Sequence, residues 1–182
     1  MKTTIDFLKF RTQSPPFEVF RAMSKPFGAN AQFLVMGGED KGVEGFTTRV
    51  VVKLVDVVAF SMDFGGESQR GWVRETMTGA TCLLVQDWGA MQDLVNRLDT
   101  AQLRRVDVAL TTLEGEVTHE SVLEAYTQGE FKGRGRNPKM TMIQGSDHWD
   151  GRTIYVGNRK GAKYLRAYEK GLEQARGLAE TL

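Results

Sequence analysis

Two short runs of alternating apolar and polar residues flank a turn in the last third of this 182-residue chain. Ile154 and Val156 share one face of the first run, and Leu165 and Ala167 share one face of the second. Residues 157–161 between them hold two glycines, an asparagine and a basic pair, which is typical of a turn. The pattern predicts a β-hairpin with one apolar face. Its other face carries phenols and cations: Tyr155, Tyr164, Arg166, Tyr168 and Lys170.

The rest of the chain repeats an order of strand, helix and strands. In the first round, strands are predicted over 3–11, 31–36, 45–64 (in two pieces), 72–78 and 81–85, with helices over 14–23 and after Asp87. In the second round, a strand over 104–112 and a helix over 118–129 precede a strand at 140–143, the hairpin and a closing helix over 172–182. Asp6 and Asp107 occupy like positions in the two rounds. This order predicts an α+β fold, in which two related βαβββ halves form one domain (residues 1–182) with largely antiparallel sheets.

Charge is distributed unevenly along the chain. The formal net charge is +1, but residues 131–170 hold ten basic and three acidic side chains. Such a cationic zone favours a polyanion such as DNA as the partner, although it can equally be a solvated face. The candidate DNA contacts are Arg134, Arg136, Arg159, Lys160 and Lys163.

The chain lacks the residues that several classes of protein require. Cys82 is the single cysteine, which excludes an internal disulfide and a cysteine-based zinc site. The nucleotide-binding Gly-x-x-x-x-Gly-Lys-Ser/Thr loop and a His-hydrophobe-His metal motif are both absent. His119, expected in solvent at the first turn of a helix, is isolated from His148. No apolar run suits a membrane helix, and no signal-peptide pattern opens the chain, so a cytoplasmic location is expected.

Tyrosine, carboxylate and cation are the residue types left for chemistry. A tyrosine nucleophile can exchange one phosphodiester bond for another, but a phenol with an unperturbed pKa of about 10 needs positive charge nearby. Tyr168 meets that need, because Arg166 and Lys170 lie on the same face of its strand. Asp107 and Glu173 are candidate ligands of a hard divalent cation.

Each of these assignments has an alternative. Tyr168 could be an ordinary strand tyrosine, and the other two tyrosines of the hairpin face are equally available as nucleophiles. Asp107 could be a cross-strand partner of an arginine, Arg105 or Arg166. Glu173 could simply stabilise the first turn of a helix.

The motifs resemble those of one known family. Gly151-x-Thr-Ile-Tyr-Val-Gly-Asn-Arg-Lys, followed by Tyr164-Leu-Arg-Ala-Tyr-Glu-Lys, is similar to the signature of the replication initiation factors (Rep_trans). That family contains rolling-circle initiators of filamentous phages and small plasmids. Arg105-Val-Asp-Val-Ala resembles its Arg-hydrophobic-Asp strand, and Thr78-Gly-Ala-Thr-Cys resembles a glycine-turn-cysteine segment of phage members. The specific match covers about a third of the chain.

The resemblance implies a DNA-nicking and -joining enzyme. In the family a tyrosine attacks the origin strand with the help of a divalent metal, and leaves a 5′-phosphotyrosyl link and a free 3′-OH. Carried over, Tyr168 is the nucleophile with Arg166 and Lys170 beside it, and Asp107 and Glu173 hold Mg²⁺ or Mn²⁺. The implied partners are origin DNA (single-stranded or supercoiled), a host helicase, a polymerase and a second copy of the chain, in the cytoplasm of a bacterial host.

Family members are usually longer, so the chain is expected to be a catalytic domain that lacks a C-terminal region. Two other classes of function stay open from the sequence. One is a non-catalytic module that binds single- or double-stranded DNA with the cationic 131–170 face and uses the tyrosines for stacking. The other is a structural or protein-interaction domain.

Overall fold

A computed structural model describes residues 1–112, 115–133, 135–145, 151–161, 163–169 and 171. The chain divides into a first unit, Met1–Thr111, and a second unit, Thr112–Leu182. The prediction of a single domain stays a prediction. The described strands are β1 (Lys2–Thr12), β2 (Leu34–Lys41), β3 (Thr48–Leu54), β4 (Val57–Phe64), β5 (Val73–Thr78), β6 (Gln102–Thr111), β7 (Met140–Gln144), β8 (Arg152–Gly157) and β9 (Tyr164–Tyr168). The α-helices are α1 (Pro16–Ser24), α2 (Gly79–Cys82), α3 (Trp88–Arg97) and α4 (His119–Thr127), and 3₁₀ turns cover Lys25–Phe33 and Glu67–Gln69.

The first unit is built on a six-stranded antiparallel sheet in the order β2-β3-β4-β5-β1-β6. Leu8 and Phe10 of β1 point to one face of this sheet, where α1 and α3 contribute Met23 and Met91 to the same buried cluster. We call this the helix-covered face, and the opposite side the open face. Alternate residues of β1 thus decide which side of the sheet is packed.

Local sequence explains where the helices of the first unit begin. Pro16 occupies the first turn of α1, where its missing N–H costs no hydrogen bond. Asp87 caps α3 as predicted, because its carboxylate accepts a hydrogen bond from the Ala90 N–H at 2.9 Å. The helix predicted over 14–23 ends at Ser24, before Pro26, although a 3₁₀ stretch continues to Phe33.

Two strand predictions in the first unit were wrong, one at its start and one over its whole length. The strand predicted over 31–36 starts only at Leu34, because the preceding residues continue the 3₁₀ stretch. The strand predicted over 81–85 is instead the short helix α2 and a turn. Thr78 and Thr81 form a capping box there, in which the Thr78 N–H donates to Thr81 Oγ1 at 2.7 Å. A Cβ at Gly79 would contact the Asp6 carboxylate, so a larger residue here would displace that side chain.

Two carboxylates are completely buried in the first unit. Asp63 accepts hydrogen bonds from Arg49 (2.8 and 3.0 Å) and from Arg74 (2.9 and 3.2 Å). Burial alone would raise the pKa of Asp63, but the two arginines outweigh it, so that the pKa lies below its usual range. Glu75 pairs across strands with the buried Phe10 and Met62, and neither of its oxygens has a hydrogen-bond partner among the described residues. Burial, with the charge of Asp63 second, raises the pKa of Glu75 well above its usual range.

The second unit is a three-stranded antiparallel sheet, β7-β8-β9, with α4 packed on one side. Thr118 caps α4 by accepting a hydrogen bond from the Ser121 N–H at 3.1 Å. Gly129 follows the helix with a φ of +79°, which glycine adopts without strain, so the predicted helix end is confirmed. Val122 of α4 is buried against Ile154 and Val156 of β8. The closing helix predicted over 172–182 lies outside the described residues.

The prediction of an α+β fold with largely antiparallel sheets is confirmed. The second round is β6-α4-β7-β8-β9, and the first carries one strand more, β5, after its first helix. The first strands of the two rounds pair with each other, since β6 lies beside β1 with Asp107 opposite Phe7. None of the helices among the described residues is both long and apolar enough to cross a membrane.

Candidate functional site

The predicted hairpin is present as β8 and β9, with the predicted division of faces. Ile154 pairs with Ala167 and Val156 with Leu165, and both β8 residues are buried against α4. Thr153 pairs with Tyr168 on the side away from α4. The alternation of the sequence therefore produces one face that packs against α4 and one face that is partly exposed. The open side of the hairpin holds Thr153, Tyr155, Tyr164, Arg166 and Tyr168.

The turn of the hairpin presents basic side chains to solvent. Gly157 has a φ of +94°, and a Cβ there would lie 2.7 Å from the carbonyl oxygen of Lys163, so only glycine fits. The side chain of Asn158 accepts a hydrogen bond from the Lys160 N–H at 2.9 Å, which orders the turn. Arg159, Lys160 and Lys163 are all exposed. Three of the predicted DNA contacts therefore surround one turn.

The two remaining predicted DNA contacts lie in the loop that precedes β7. Arg136 is exposed there, and Arg134 lies outside the described residues. The loop is joined to α4 through a hydrogen bond from the hydroxyl of Tyr126 to the carbonyl oxygen of Pro138, at 2.8 Å.

The hairpin tyrosines differ in what surrounds them. Tyr168 is 36% exposed, and the guanidinium of Arg166 lies 4.3 Å from the centre of its ring. Tyr164 is 37% exposed and stacks on the half-buried Tyr155, with ring centres 6.0 Å apart. Tyr168 thus has a phenol at the surface with a cation directly against its ring. Lys170, the second predicted cation, lies outside the described residues.

A network of ionic groups holds the residue that follows Tyr168. Glu169 accepts a hydrogen bond from the backbone N–H of Arg152 at 2.7 Å and from its guanidinium at 3.2 Å. The same guanidinium donates to Glu120 of α4 at 2.6 Å. Burial raises the pKa of Glu169, but the hydrogen bonds from Arg152 outweigh it and the pKa lies below its usual value. The end of β9, and with it the backbone of Tyr168, is therefore tied to β8 and to α4.

The same network contains a histidine that the sequence analysis placed in solvent. His119 is only 7% exposed, and its Nδ1 lies 3.8 Å from a carboxylate oxygen of Glu169. Its Nε2 is buried without a hydrogen-bond partner among the described residues. The prediction of a solvent-exposed His119 was wrong, because the first turn of α4 packs towards Glu169 and Arg152. No spacing in the sequence links these residues, since they come from three separate elements.

The candidate metal ligand Asp107 is half-buried on β6, in the first unit. Its two carboxylate oxygens accept hydrogen bonds from Arg105 at 2.7 and 2.5 Å. The pairing with Arg105 that the sequence left open is therefore present, although along one strand and not across two. Glu173 lies outside the described residues. Within the described ranges, no three His, Cys, Asp or Glu side chains are grouped closely enough to hold a metal ion.

Comparisons with known proteins agree with the motif. Residues 101–181 match the model of the replication initiation factor family (Rep_trans). The fold is similar to that of a rolling-circle replication initiator protein from Geobacillus stearothermophilus, with a TM-score of 0.68 and 18% identity, over 96% of this chain and 69% of the other. No curated protein matches the chain. The family resemblance read from the sequence is thereby confirmed, and the structural likeness confirms the fold.

Proposed function

We propose that this chain is a rolling-circle replication initiator that nicks and rejoins origin DNA through Tyr168. The observation that carries the proposal is the setting of this residue. Tyr168 lies on the open side of β9, 36% exposed, with the guanidinium of Arg166 against its ring. It also falls within residues 101–181, which match the replication initiation factor family.

The reaction is a transesterification. The Tyr168 oxygen attacks the phosphorus of one phosphodiester, so that a Tyr Oη–P bond forms and the bond from phosphorus to the 3′ oxygen breaks. The phenol proton passes to solvent, and the departing 3′ oxygen takes up a proton to become a free 3′-OH. The 5′-phosphotyrosyl link keeps the energy of the broken bond, so attack by a 3′-OH in the reverse direction rejoins the strand.

The residues around Tyr168 have separate tasks in this proposal. Arg166 places positive charge beside the phenol and the incoming phosphate, where it can stabilise the charge that develops during attack. Glu169, anchored by Arg152, fixes the backbone of β9 and so positions the nucleophile. The exposed Arg159, Lys160 and Lys163 can contact the phosphates that flank the scissile bond.

A divalent cation, Mg²⁺ or Mn²⁺, is proposed as the cofactor. When bound, it would neutralise charge on the phosphate oxygens. The carboxylate of Asp107 offers the oxygen ligands that such hard cations take. Both oxygens are engaged by Arg105, so a metal at Asp107 would require the guanidinium to turn away. The free 3′-OH is the primer end that a polymerase would extend, and a host helicase and a second copy of the chain are further proposed partners.

The test is the covalent adduct. The full chain is incubated with a 3′-labelled pool of random single-stranded oligonucleotides and either Mg²⁺ or Mn²⁺, and the labelled protein is separated under denaturing conditions. We expect label on the wild-type protein and none on Tyr168→Phe. Tyr164→Phe is the matched control, because it removes a hydroxyl from a tyrosine of similar exposure on the same strand.

An adduct that survives Tyr168→Phe and disappears with Tyr164→Phe would contradict the assignment of the nucleophile. If the wild type forms no adduct but retains the oligonucleotides with a steep dependence on salt, the chain is a non-catalytic DNA-binding module. The stacked pair of Tyr155 and Tyr164 supports that second function, since partly exposed aromatic rings on a cationic sheet also bind unpaired bases.

A further inference from the structure

The open face of the six-stranded sheet in the first unit carries a second group of aromatic and cationic side chains. Phe7, Lys9 and Arg11 alternate along β1 with the residues that point into the core, and all three are half-buried. Trp72, immediately before β5, is also half-buried and contacts Arg11. None of these residues belongs to the cationic 131–170 zone.

This surface contains two cation–π stacks, one on the ring of Phe7 and one on the ring of Trp72. The guanidinium of Arg105 lies 4.5 Å from the centre of the Phe7 ring, and the ammonium of Lys9 lies 5.9 Å from it. The guanidinium of Arg11 lies 4.2 Å from the Trp72 ring. Arg11 is held flat there, because its Nε and Nη2 both donate to Gln102 Oε1, at 3.0 and 2.7 Å. Each stack therefore presents planar groups in fixed orientations.

The charge of this surface favours an anion. Arg49 and Arg74 are paired with the carboxylates of Asp63 and Glu44, and Arg105 with Asp107. Lys9 and Arg11, by contrast, have no carboxylate partner among the described residues.

The spacing of the two stacks also suits a linear polymer as the ligand. Phe7 and Arg11 are four residues apart on one strand, which places the two stacks about 13 Å from each other. A ligand that meets both stacks must therefore be extended and carry repeated negative charge.

We propose that this aromatic–cationic surface of Phe7, Lys9, Arg11, Trp72 and Arg105 binds single-stranded DNA. Unpaired bases stack on the rings and the guanidinium planes, and Lys9 and Arg11 contact the phosphates. Paired bases cannot reach the rings, so double-stranded DNA is the poorer ligand. The inference rests on the proposed function for the identity of the ligand, and it adds a DNA-binding surface in the first unit to the hairpin of the second unit that carries Tyr168.

The experiment uses the full chain with Tyr168→Phe, so that no covalent step interferes, and an oligo-dT probe. Binding is followed by anisotropy of a label on the probe and by tryptophan fluorescence. We expect Trp72→Ala to weaken binding by about 5- to 150-fold, the range for loss of one base–aromatic stack. Trp72→Phe keeps a ring and should bind almost as well, but loses the quenching of fluorescence that a stacked base causes.

Trp88→Phe is the matched control, because Trp88 packs against the core on the helix-covered face of the same sheet. It should retain both the affinity and the quenching. A Trp72→Ala variant that keeps its circular dichroism spectrum and binds oligo-dT like the parent overturns the inference. Equal or tighter binding of oligo-dT annealed to oligo-dA also overturns it.

The outcomes separate this inference from the proposed function. If oligo-dT binding depends on Trp72 while the wild type forms no adduct with DNA, the surface stands and the nicking activity fails. If the adduct forms and Trp72→Ala changes neither oligo-dT affinity nor quenching, the nicking activity stands and the surface fails.

Discussion

The buried Glu75 makes the stability of the first unit depend on pH in a direction that can be worked out. Its carboxyl group is fully buried without a hydrogen-bond partner among the described residues, and its pKa is raised by burial and by the charge of Asp63. The folded chain therefore holds this proton to a higher pH than the unfolded chain, in which a glutamic acid has a pKa of about 4.3. The contribution of Glu75 to stability is fully present below that value and is lost as pH rises through the pKa of the folded state.

Two substitutions separate the charge from the polarity of this group. Glu75→Gln removes the ionisation, so we expect the loss of stability between mildly acidic and mildly alkaline pH to shrink. Glu75→Met also removes the unsatisfied oxygens at similar length, which should stabilise the fold by about 1–3 kcal/mol. For a chain of this size, that corresponds to a rise in Tm of about 2–12 °C.

Urea unfolding, followed by tryptophan fluorescence and circular dichroism at several pH values, measures both effects. Glu39→Gln, at an exposed position of β2, is the control and should leave the pH dependence unchanged. The reasoning fails if wild type and Glu75→Gln lose stability equally as pH rises. It also fails if Glu75→Met lowers the Tm, since that would mean that the carboxyl group has favourable contacts.

Two further predictions concern buried groups of the first unit. Asp63→Asn should destabilise the fold by about 3–5 kcal/mol, because it removes the buried carboxylate that both Arg49 and Arg74 contact and leaves only Glu44 beside Arg74. In urea unfolding, Asp93→Asn, which breaks an exposed ion pair, should change stability by about 0.5 kcal/mol or less. Equal effects of the two substitutions would contradict the argument. Burial is the main cause that raises the pKa of Cys82 to about 11, and the charge of Asp6 is the second cause. A thiol reagent at mildly alkaline pH should therefore modify Cys82 only after urea unfolding. Rapid modification of the folded chain would refute the burial of this thiol.

The elements that could be read from the sequence are those whose signal is local. The hairpin of β8 and β9 was predicted with its faces, because alternation at period two assigns each side chain to a side. The cap at Asp87 and the helix end at Gly129 were also predicted, since each depends on a few neighbouring residues. The strand expected over 81–85 failed for the opposite reason: its apolar residues resemble a strand, but the capping box of Thr78 and Thr81 starts a helical turn.

In the candidate site, too, the residues with a local sequence signal were predicted and the contacts between separate elements were not. Tyr168, Arg166 and the basic turn were identified from one short motif, and the family match covers that motif. The burial of His119 and the anchoring of Glu169 could not be predicted, because they need α4, β8 and β9 to meet. From the sequence, Asp107 could be a metal ligand or the partner of an arginine. The structure shows its hydrogen bond with Arg105, which depends on side-chain conformations that spacing does not fix.

The order of residues by itself determined the α+β character, the hairpin face with its tyrosines and cations, and the likeness to replication initiation factors. These are properties of short segments, in which the spacing of side chains settles the outcome. Only the tertiary structure decided which charges neutralise each other and which stay available, as with Asp63 between Arg49 and Arg74 and with Arg11 on Trp72. Such contacts join side chains of different elements, and their energy depends on burial, which no local pattern encodes.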